Sequence, residues 1–190
     1  MYALLSGLVA LGACHSSTAP LNVIHRKDLL ALARSDSADP IDRSLVFQNS
    51  KTVDLTWSNS DTIPTTFAIF HFFPQSVRSR NDTILADTST VTLNVSATPG
   101  EFGFTVLPTT VVFNIAGSPT IDVSYARYAD FSVIDSAASK YPNPTAFAQA
   151  LKLYYEYGPD QWRAMSTGNA SNVSSAALSQ PGTYLLAAPK

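Results

Sequence analysis

The feature that most constrains the fold is a period-two rhythm of apolar residues that begins near residue 41. Val53, Leu55 and Trp57 alternate with polar neighbours, which predicts a strand with one buried and one solvated face. Residues 65–73 are largely apolar on both faces and are followed by Pro74, as in an interior strand of a sandwich. Strand character recurs, between turns that contain Gly or Pro, at residues 44–48, 90–95, 102–107, 110–115 and 120–128. Short strands about 8 to 12 residues apart favour a sandwich or barrel over a parallel α/β sheet.

The size of the chain favours one domain. With 190 residues, of which 45% are hydrophobic, the chain can bury one core and is too short to favour two full domains. We therefore predict an all-β protein with a single antiparallel β-sandwich over residues 41–190. Six residues are predicted to contribute to its core: Trp57, Phe70, Phe113, Val123, Leu153 and Trp162.

An uncharged apolar segment precedes the only cysteine of the chain. Residues 1–13 contain no Lys or Arg and end in small residues directly before Cys14, which is typical of an export signal. The sequence Leu11-Gly12-Ala13-Cys14 resembles the bacterial lipobox, although a basic residue normally precedes the apolar run. This resemblance implies that the chain is cut before Cys14 and that its thiol carries lipid. A helix over residues 2–13 would cover about 18 Å, too little to span a bilayer core of about 30 Å. The alternative is an uncleaved apolar anchor.

Residues 15–40 are predicted to form a tether between this anchor and the sandwich. A short helix over residues 22–34 would place Leu29, Leu30 and Leu32 on an apolar stripe flanked by Arg and Lys, suited to a membrane surface or to the domain itself. The alternative is a plain tether with one helical turn. Small polar residues and Pro40 predict a linker over residues 35–40.

The last third of the chain suggests a family. An aromatic strand over residues 151–157, a tryptophan strand over residues 162–165 and two strands over residues 173–178 and 182–187 follow one another. This succession, with the upstream block 110–128, resembles the closing strands of ZU5-like domains over about half of the chain, residues 100–188. The resemblance implies an immunoglobulin-like sandwich that acts as an extracytoplasmic interaction or structural module, without an enzymatic activity.

Alternation along residues 151–157 assigns the tyrosines to two faces. Tyr155 and Tyr157 share the core face with Leu151 and Leu153, whereas Tyr154 lies on the outer face. Tyr154 is then the only tyrosine of this strand available to a ligand. Stacking of these aromatic rings on sugar is the alternative use of the strand.

An insertion over residues 136–149 interrupts the ZU5-like pattern. It contains Tyr141, Pro142 and Pro144 and a possible helical turn over residues 145–149. Loops on a rigid sandwich often carry binding residues, so we predict a partner-binding surface from Tyr141, Pro142 and Pro144, extended by Tyr154. The alternative is a solvated surface loop.

The sequence contains no local signature of catalysis, of a metal site or of a cofactor. Zinc-protease, serine-hydrolase, phosphate-loop and dinucleotide motifs are missing, and His71 is interpreted as a satisfied structural residue. A net charge of −2 with 14% charged residues provides no field for nucleic acid. We therefore expect no enzyme, no cofactor, no metal and no nucleic-acid partner.

Of three functions that the sequence leaves, an enzyme is disfavoured, because it would need a site assembled from residues that show no local signature; the other two remain open. The first is a membrane-anchored accessory subunit at the periplasmic or outer face of a bacterial membrane, which docks on protein subunits of a larger complex and contacts membrane lipid through its N-terminus. The larger complex on which it docks could be a photosynthetic or a respiratory membrane complex. The second is a cell-surface module that binds carbohydrate or another ligand.

Overall fold

The computed structural model describes residues 22–35, 40–61, 63, 65–165 and 167–190. Cys14 and the rest of the predicted signal segment lie outside these residues. Over the described part the first ten strands are β1 (Val23–His25), β2 (Leu29–Ala31), β3 (Ala33–Arg34), β4 (Arg43–Gln48), β5 (Val53–Ser58), β6 (Thr66–Phe72), β7 (Val77–Arg80), β8 (Thr83–Ile84), β9 (Thr90–Thr98) and β10 (Gly103–Leu107). They are followed by β11 (Val111–Phe113), β12 (Thr120–Ser124), β13 (Ala129–Asp130), the helix α1 (Pro144–Ala150), β14 (Lys152–Gly158), β15 (Gln161–Ala164), β16 (Thr167–Ala170), β17 (Val173–Ala177) and β18 (Gly182–Pro189).

Two large sheets form the sandwich. The larger has the order β1-β15-β14-β18-β10-β9-β4, with β2 also paired to β18, and the smaller has the order β16-β17-β12-β6-β5. Two small sheets, β11-β7-β8 and β13-β3, complete the strand pairing of the described residues. The chain is therefore all-β and mostly antiparallel, as the alternation predicted.

Aromatic side chains join the two sheets. Phe47 of β4 stacks on Phe72 of β6 with ring centroids 3.9 Å apart, and Phe104 of β10 meets Trp57 edge-on at 6.4 Å. All six residues predicted for the core are buried. Five of them belong to the main cluster between the sheets, while Trp162 lies in a second cluster. Burial of large aromatic side chains supplies much of the stability of such a core.

The segment 22–34 is not the predicted helix. It contains β1, β2 and β3, with one 3-10 turn at Arg26–Asp28. Ala31 pairs with Ala187 of β18, and Ile24 pairs with Trp162 of β15. The placement of this segment in a tether before residue 41 is therefore wrong, because its strands are part of the larger sheet.

The reason lies in the leucines of β2 and the residue after it. Leu30 and Leu32 belong to the main core, whereas Leu29 and Ala31 point to the opposite side of the sheet and belong to the second cluster. Alternating burial on both sides is what a strand produces and a helix does not. The weak helical stripe that the sequence suggested is therefore a strand that is buried on both faces.

The predicted insertion contains a helix, as expected. Asn143 caps α1 by accepting a hydrogen bond from the amide of Ala146 at 2.9 Å, and Pro144 occupies the first turn, where its missing N–H costs nothing. Phe147 anchors the helix in the core. The helix spans Pro144–Ala150 and so confirms the helical turn predicted over residues 145–149.

Candidate functional site: a groove beside the closing strands

An open groove lies where the inner face of the larger sheet emerges beside the loop between β17 and β18. It encloses about 330 Å³, near the lower end of the roughly 300 to 1,000 Å³ found for small-molecule sites. We call it the tyrosine groove, and its lining residues are Tyr155, Tyr157, Arg163, Ala164, Met165, Ser179 and Gln180.

Strand pairing brings its principal side chains together. Tyr155 and Tyr157 are two residues apart on β14, and Arg163 of β15 is the direct cross-strand partner of Tyr155. Residues paired in this way project on one face of a sheet. Tyr155 is half-buried against the core, while Tyr157 is 52% exposed and Arg163 is exposed. One side of the groove is therefore formed by the partly buried ring of Tyr155, and the other by the exposed side chains of Tyr157 and Arg163.

The floor of the groove is held by a second tyrosine beneath it. The rings of Tyr155 and Tyr184 are 5.1 Å apart, and Tyr184 is fully buried. Burial raises the pKa of the Tyr184 phenol well above its ordinary range, so this hydroxyl stays protonated and donates to the carbonyl oxygen of Gln180. Burial also raises the pKa of Tyr155.

The loop that forms the opposite wall is attached at three points. In addition to the bond from Tyr184, the hydroxyl of Tyr155 lies 3.5 Å from the carbonyl oxygen of Pro181. The amide of Leu178 donates to the carbonyl oxygen of Pro119 at 2.7 Å. Ser179 and Gln180 are therefore presented from a fixed backbone, which lowers the entropy lost when a ligand is bound.

The charge of the groove is carried by one residue. Arg163 is the charged residue among the lining residues, and it makes no ion pair with any described residue. The nearby carboxylate of Asp160 accepts a hydrogen bond from the amide of Arg26 at 2.9 Å and lies 3.3 Å from His25. The guanidinium of Arg163 is thus available to an anionic group.

The predicted partner surface has a different character in the structure. Tyr154 is only 3% exposed, because it packs with Leu29, Trp162 and Leu185 in the second cluster. The expectation that Tyr154 is freely available is therefore wrong, although its assignment to the outer face is correct. Tyr157, predicted on the core face, is instead the exposed tyrosine of β14.

The other predicted contact residues lie around α1. Tyr141 packs edge-on against Phe147 at 5.3 Å and donates its hydroxyl to the carbonyl oxygen of Pro189 at 2.8 Å. Pro142 and Pro144 are exposed. Burial raises the pKa of Tyr154, and the electrostatic influence of Tyr141 adds to this effect. Tyr141 is thus partly buried against the main core while Tyr154 belongs to the second cluster, and the contact of this loop with a partner stays a prediction.

No sequence motif marks Arg163, Ser179 or Gln180. Their only signal is indirect, since alternation would place Arg163 and Met165, the residue that follows β15, on one side of the chain. Recognising the groove requires the register between β14 and β15 and the position of the loop before β18, which a single sequence does not give.

His71 lies on the outer face of the smaller sheet, between two carboxylates. Its Nδ1 is 2.8 Å from Asp54 Oδ1, and its Nε2 is 3.2 Å from Asp122 Oδ2. Partial burial lowers the pKa of His71, but the hydrogen bonds to Asp54 and Asp122 outweigh this effect and the pKa is raised. Both ring nitrogens are engaged by acceptors, so this imidazole is a satisfied structural group.

Within the described ranges there is neither a metal-binding cluster nor a helix suited to cross a membrane. No three His, Cys, Asp or Glu side chains in the described ranges are grouped so that they could hold a metal ion. Among the helices of those ranges, none has the length and hydropathy needed to cross a membrane.

No family model matches this chain, and no curated protein sequence matches it.

Proposed function

We propose that this chain is a non-catalytic binding protein of the bacterial cell envelope, exported and attached to a membrane by lipid on Cys14. Its sandwich acts as an accessory module that holds another envelope component in the tyrosine groove. The observation that carries the proposal is the groove itself, in which exposed Tyr157 and Arg163, which makes no ion pair with any described residue, stand beside a rigidly held wall. The finer fold assignment, an immunoglobulin-like sandwich similar to ZU5 domains, is part of the same proposal.

A binding role is supported by the way polar groups are used. His71 has both ring nitrogens engaged by carboxylates and therefore offers no free lone pair to a substrate. Arg163 and Gln180, in contrast, face an open groove. Side chains that fix polar contacts beside an aromatic surface are typical of recognition sites.

Export is supported by the lipobox resemblance at residues 11–14. One lipid chain gives only weak membrane attachment, and the diacyl group that the resemblance implies supplies two. The predicted contact residues Tyr141, Pro142 and Pro144 form a second candidate surface at the other end of β14, with the two prolines exposed.

The proposal is tested with the full-length chain expressed in a bacterial host and separated into membrane and soluble fractions. Cys14→Ser should move the protein from the membrane fraction to the soluble fraction and abolish the incorporation of labelled palmitate. A double variant, Tyr157→Ala with Arg163→Gln, should stay in the membrane fraction but lose retention on isolated cell-envelope fragments.

The matched control changes exposed residues that do not line the groove. Ile115 is 93% exposed and Arg78 is exposed, so Ile115→Ala with Arg78→Gln should leave both readouts unchanged. Palmitate incorporation in Cys14→Ser would overturn lipid attachment. Equal retention of the groove variant and the control would overturn the binding role of the groove.

A further inference from the structure

We propose that the tyrosine groove binds an acidic saccharide, a sugar chain that carries carboxylates. This inference rests on the proposed function and names the class of ligand. It follows from three properties of the groove: an exposed aromatic face, a guanidinium that makes no ion pair with any described residue, and strand backbone that is paired on both sides at Tyr155 and Arg163.

The aromatic face suits the ring of a sugar. Tyr157 is 52% exposed and lines the groove together with Tyr155, whose ring packs 5.1 Å from that of Tyr184. The face of an aromatic ring is electron-rich, and the C–H groups on one side of a pyranose ring are its natural complement. The hydroxyl groups of the sugar would then point to the rim, where Ser179 and Gln180 supply donors and acceptors.

The guanidinium selects for a carboxylate. Arg163 is the one charge among the described lining residues, and it has no ion-pair partner within the described part of the chain. Guanidinium and carboxylate form paired, charge-assisted hydrogen bonds. A uronic acid carries its carboxylate at the edge of the sugar ring. A single sugar unit can therefore stack on Tyr157 and at the same time bind Arg163 through its carboxylate.

An acidic peptide is the other polymer with carboxylates, and strand pairing disfavours it. Peptides that bind to sandwiches commonly add a strand to an open sheet edge. β14 is paired on both sides, by β15 and β18, and β15 is paired by β14 and β1. Within the groove, Tyr155 is paired with Arg163 and Tyr184, and Arg163 is also paired with Val23, so the backbone at these two positions has no open edge for an added strand.

The experiment is calorimetric titration of the full-length protein in detergent with oligogalacturonate and oligoglucuronate tetramers. The matched ligand is the methyl-esterified galacturonate tetramer, which keeps the sugar chain and removes its charge. At least one acidic tetramer should bind, and the ester should bind about tenfold or more weakly, as expected for the loss of a charge-assisted contact. Tetraglutamate serves as the peptide probe.

Two variants separate stacking from charge. Tyr157→Ala should weaken binding of the acidic tetramer about tenfold, and Arg163→Gln should abolish the preference for acid over ester. Ile115→Ala with Arg78→Gln should bind like wild type. Unchanged melting temperatures of the groove variants would show that the fold is intact, which is expected because both side chains are exposed.

Binding of neither acidic tetramer, equal binding of the ester, or tighter binding of tetraglutamate would overturn the proposal. If the groove variants still lost retention on envelope fragments in that case, the groove would remain a binding site and only the saccharide would be wrong. Unimpaired retention of those variants would instead contradict the proposed function.

Discussion

At the scale of single residues, Gly182 determines the position of the groove wall. Its backbone φ is 144°, and a Cβ added there would lie 2.7 Å from the ring of Tyr155. Any side chain would therefore combine a strained backbone with a collision against the tyrosine that separates groove from core. The loop Ser179–Gln180 and the start of β18 meet at this point, so the absence of a side chain at Gly182 leaves room for the ring of Tyr155, which packs against Tyr184 with the two ring planes tilted by 56°.

Gly182→Ala is expected to destabilise the protein by about 1 to 3 kcal/mol, the typical cost of a residue in a disfavoured backbone region. The matched control is Gly168→Ala, since a Cβ at Gly168 meets nothing within 4 Å. Chemical denaturation of the two variants measures the difference. Equal stability of the two would show that Tyr155 does not occupy the position described.

The second residue with a measurable signature is His71. Its pKa is raised, since the hydrogen bonds to Asp54 and Asp122 outweigh partial burial. The interaction therefore stabilises the folded state fully below the unfolded pKa of about 6.5, and this stability is lost as the pH rises through the higher folded pKa.

The free energy of unfolding should accordingly contain a contribution from His71 that decreases as the pH rises above about 6.5. The amount is less than about 1 kcal/mol, because solvent screens partly exposed pairs. His71→Gln should flatten this part of the pH profile, whereas His25→Gln should leave the His71 contribution in place. A profile of His71→Gln with the wild-type slope would contradict the bridging role of the imidazole.

At the scale of elements, prediction from sequence succeeded where a strand was long enough to show its pattern. β5 was recognised from the alternation of Val53, Leu55 and Trp57, and β6 from a long apolar run that ends before a proline. β2 was not recognised, because both sides of it are buried and the run Leu29 to Ala33 then loses the alternation that marks a strand. Three residues of strand are too few for periodicity to distinguish from one helical turn.

The N-terminal strands can be tested through Leu32, which follows β2 and is fully buried. Leu32→Ala should cost about 2 to 5 kcal/mol, comparable to Leu153→Ala in β14. Ile115→Ala, at an exposed position, should cost far less. Thermal unfolding of the three variants measures these differences. A wild-type melting temperature for Leu32→Ala would show that residues 22–34 are not packed in the sandwich and would support the tether that the sequence predicted.

At the scale of the whole molecule, the larger sheet is buried on both sides near its closing strands. The main cluster lies between the sheets, and the second cluster of Tyr154, Trp162 and Leu185 lies on the outer side. Sequence alternation correctly separated the two faces of β14 but treated the outer face as solvent. It also treated the inner face as core along its whole length, and so missed that Tyr157 emerges into a groove. Both errors depend on which residues of other strands pack against each face of β14. This information exists only in the assembled sheets.

Binding of the envelope ligand in the tyrosine groove is tested most directly by hydrogen–deuterium exchange of the membrane-attached full-length protein. Addition of isolated envelope fragments should slow amide exchange in residues 155–165 and 179–182, the two segments that line the groove. The Tyr157→Ala, Arg163→Gln variant should lose this protection. Protection confined to residues 136–149 or 114–118, or no protection in any segment, would contradict ligand binding in the tyrosine groove.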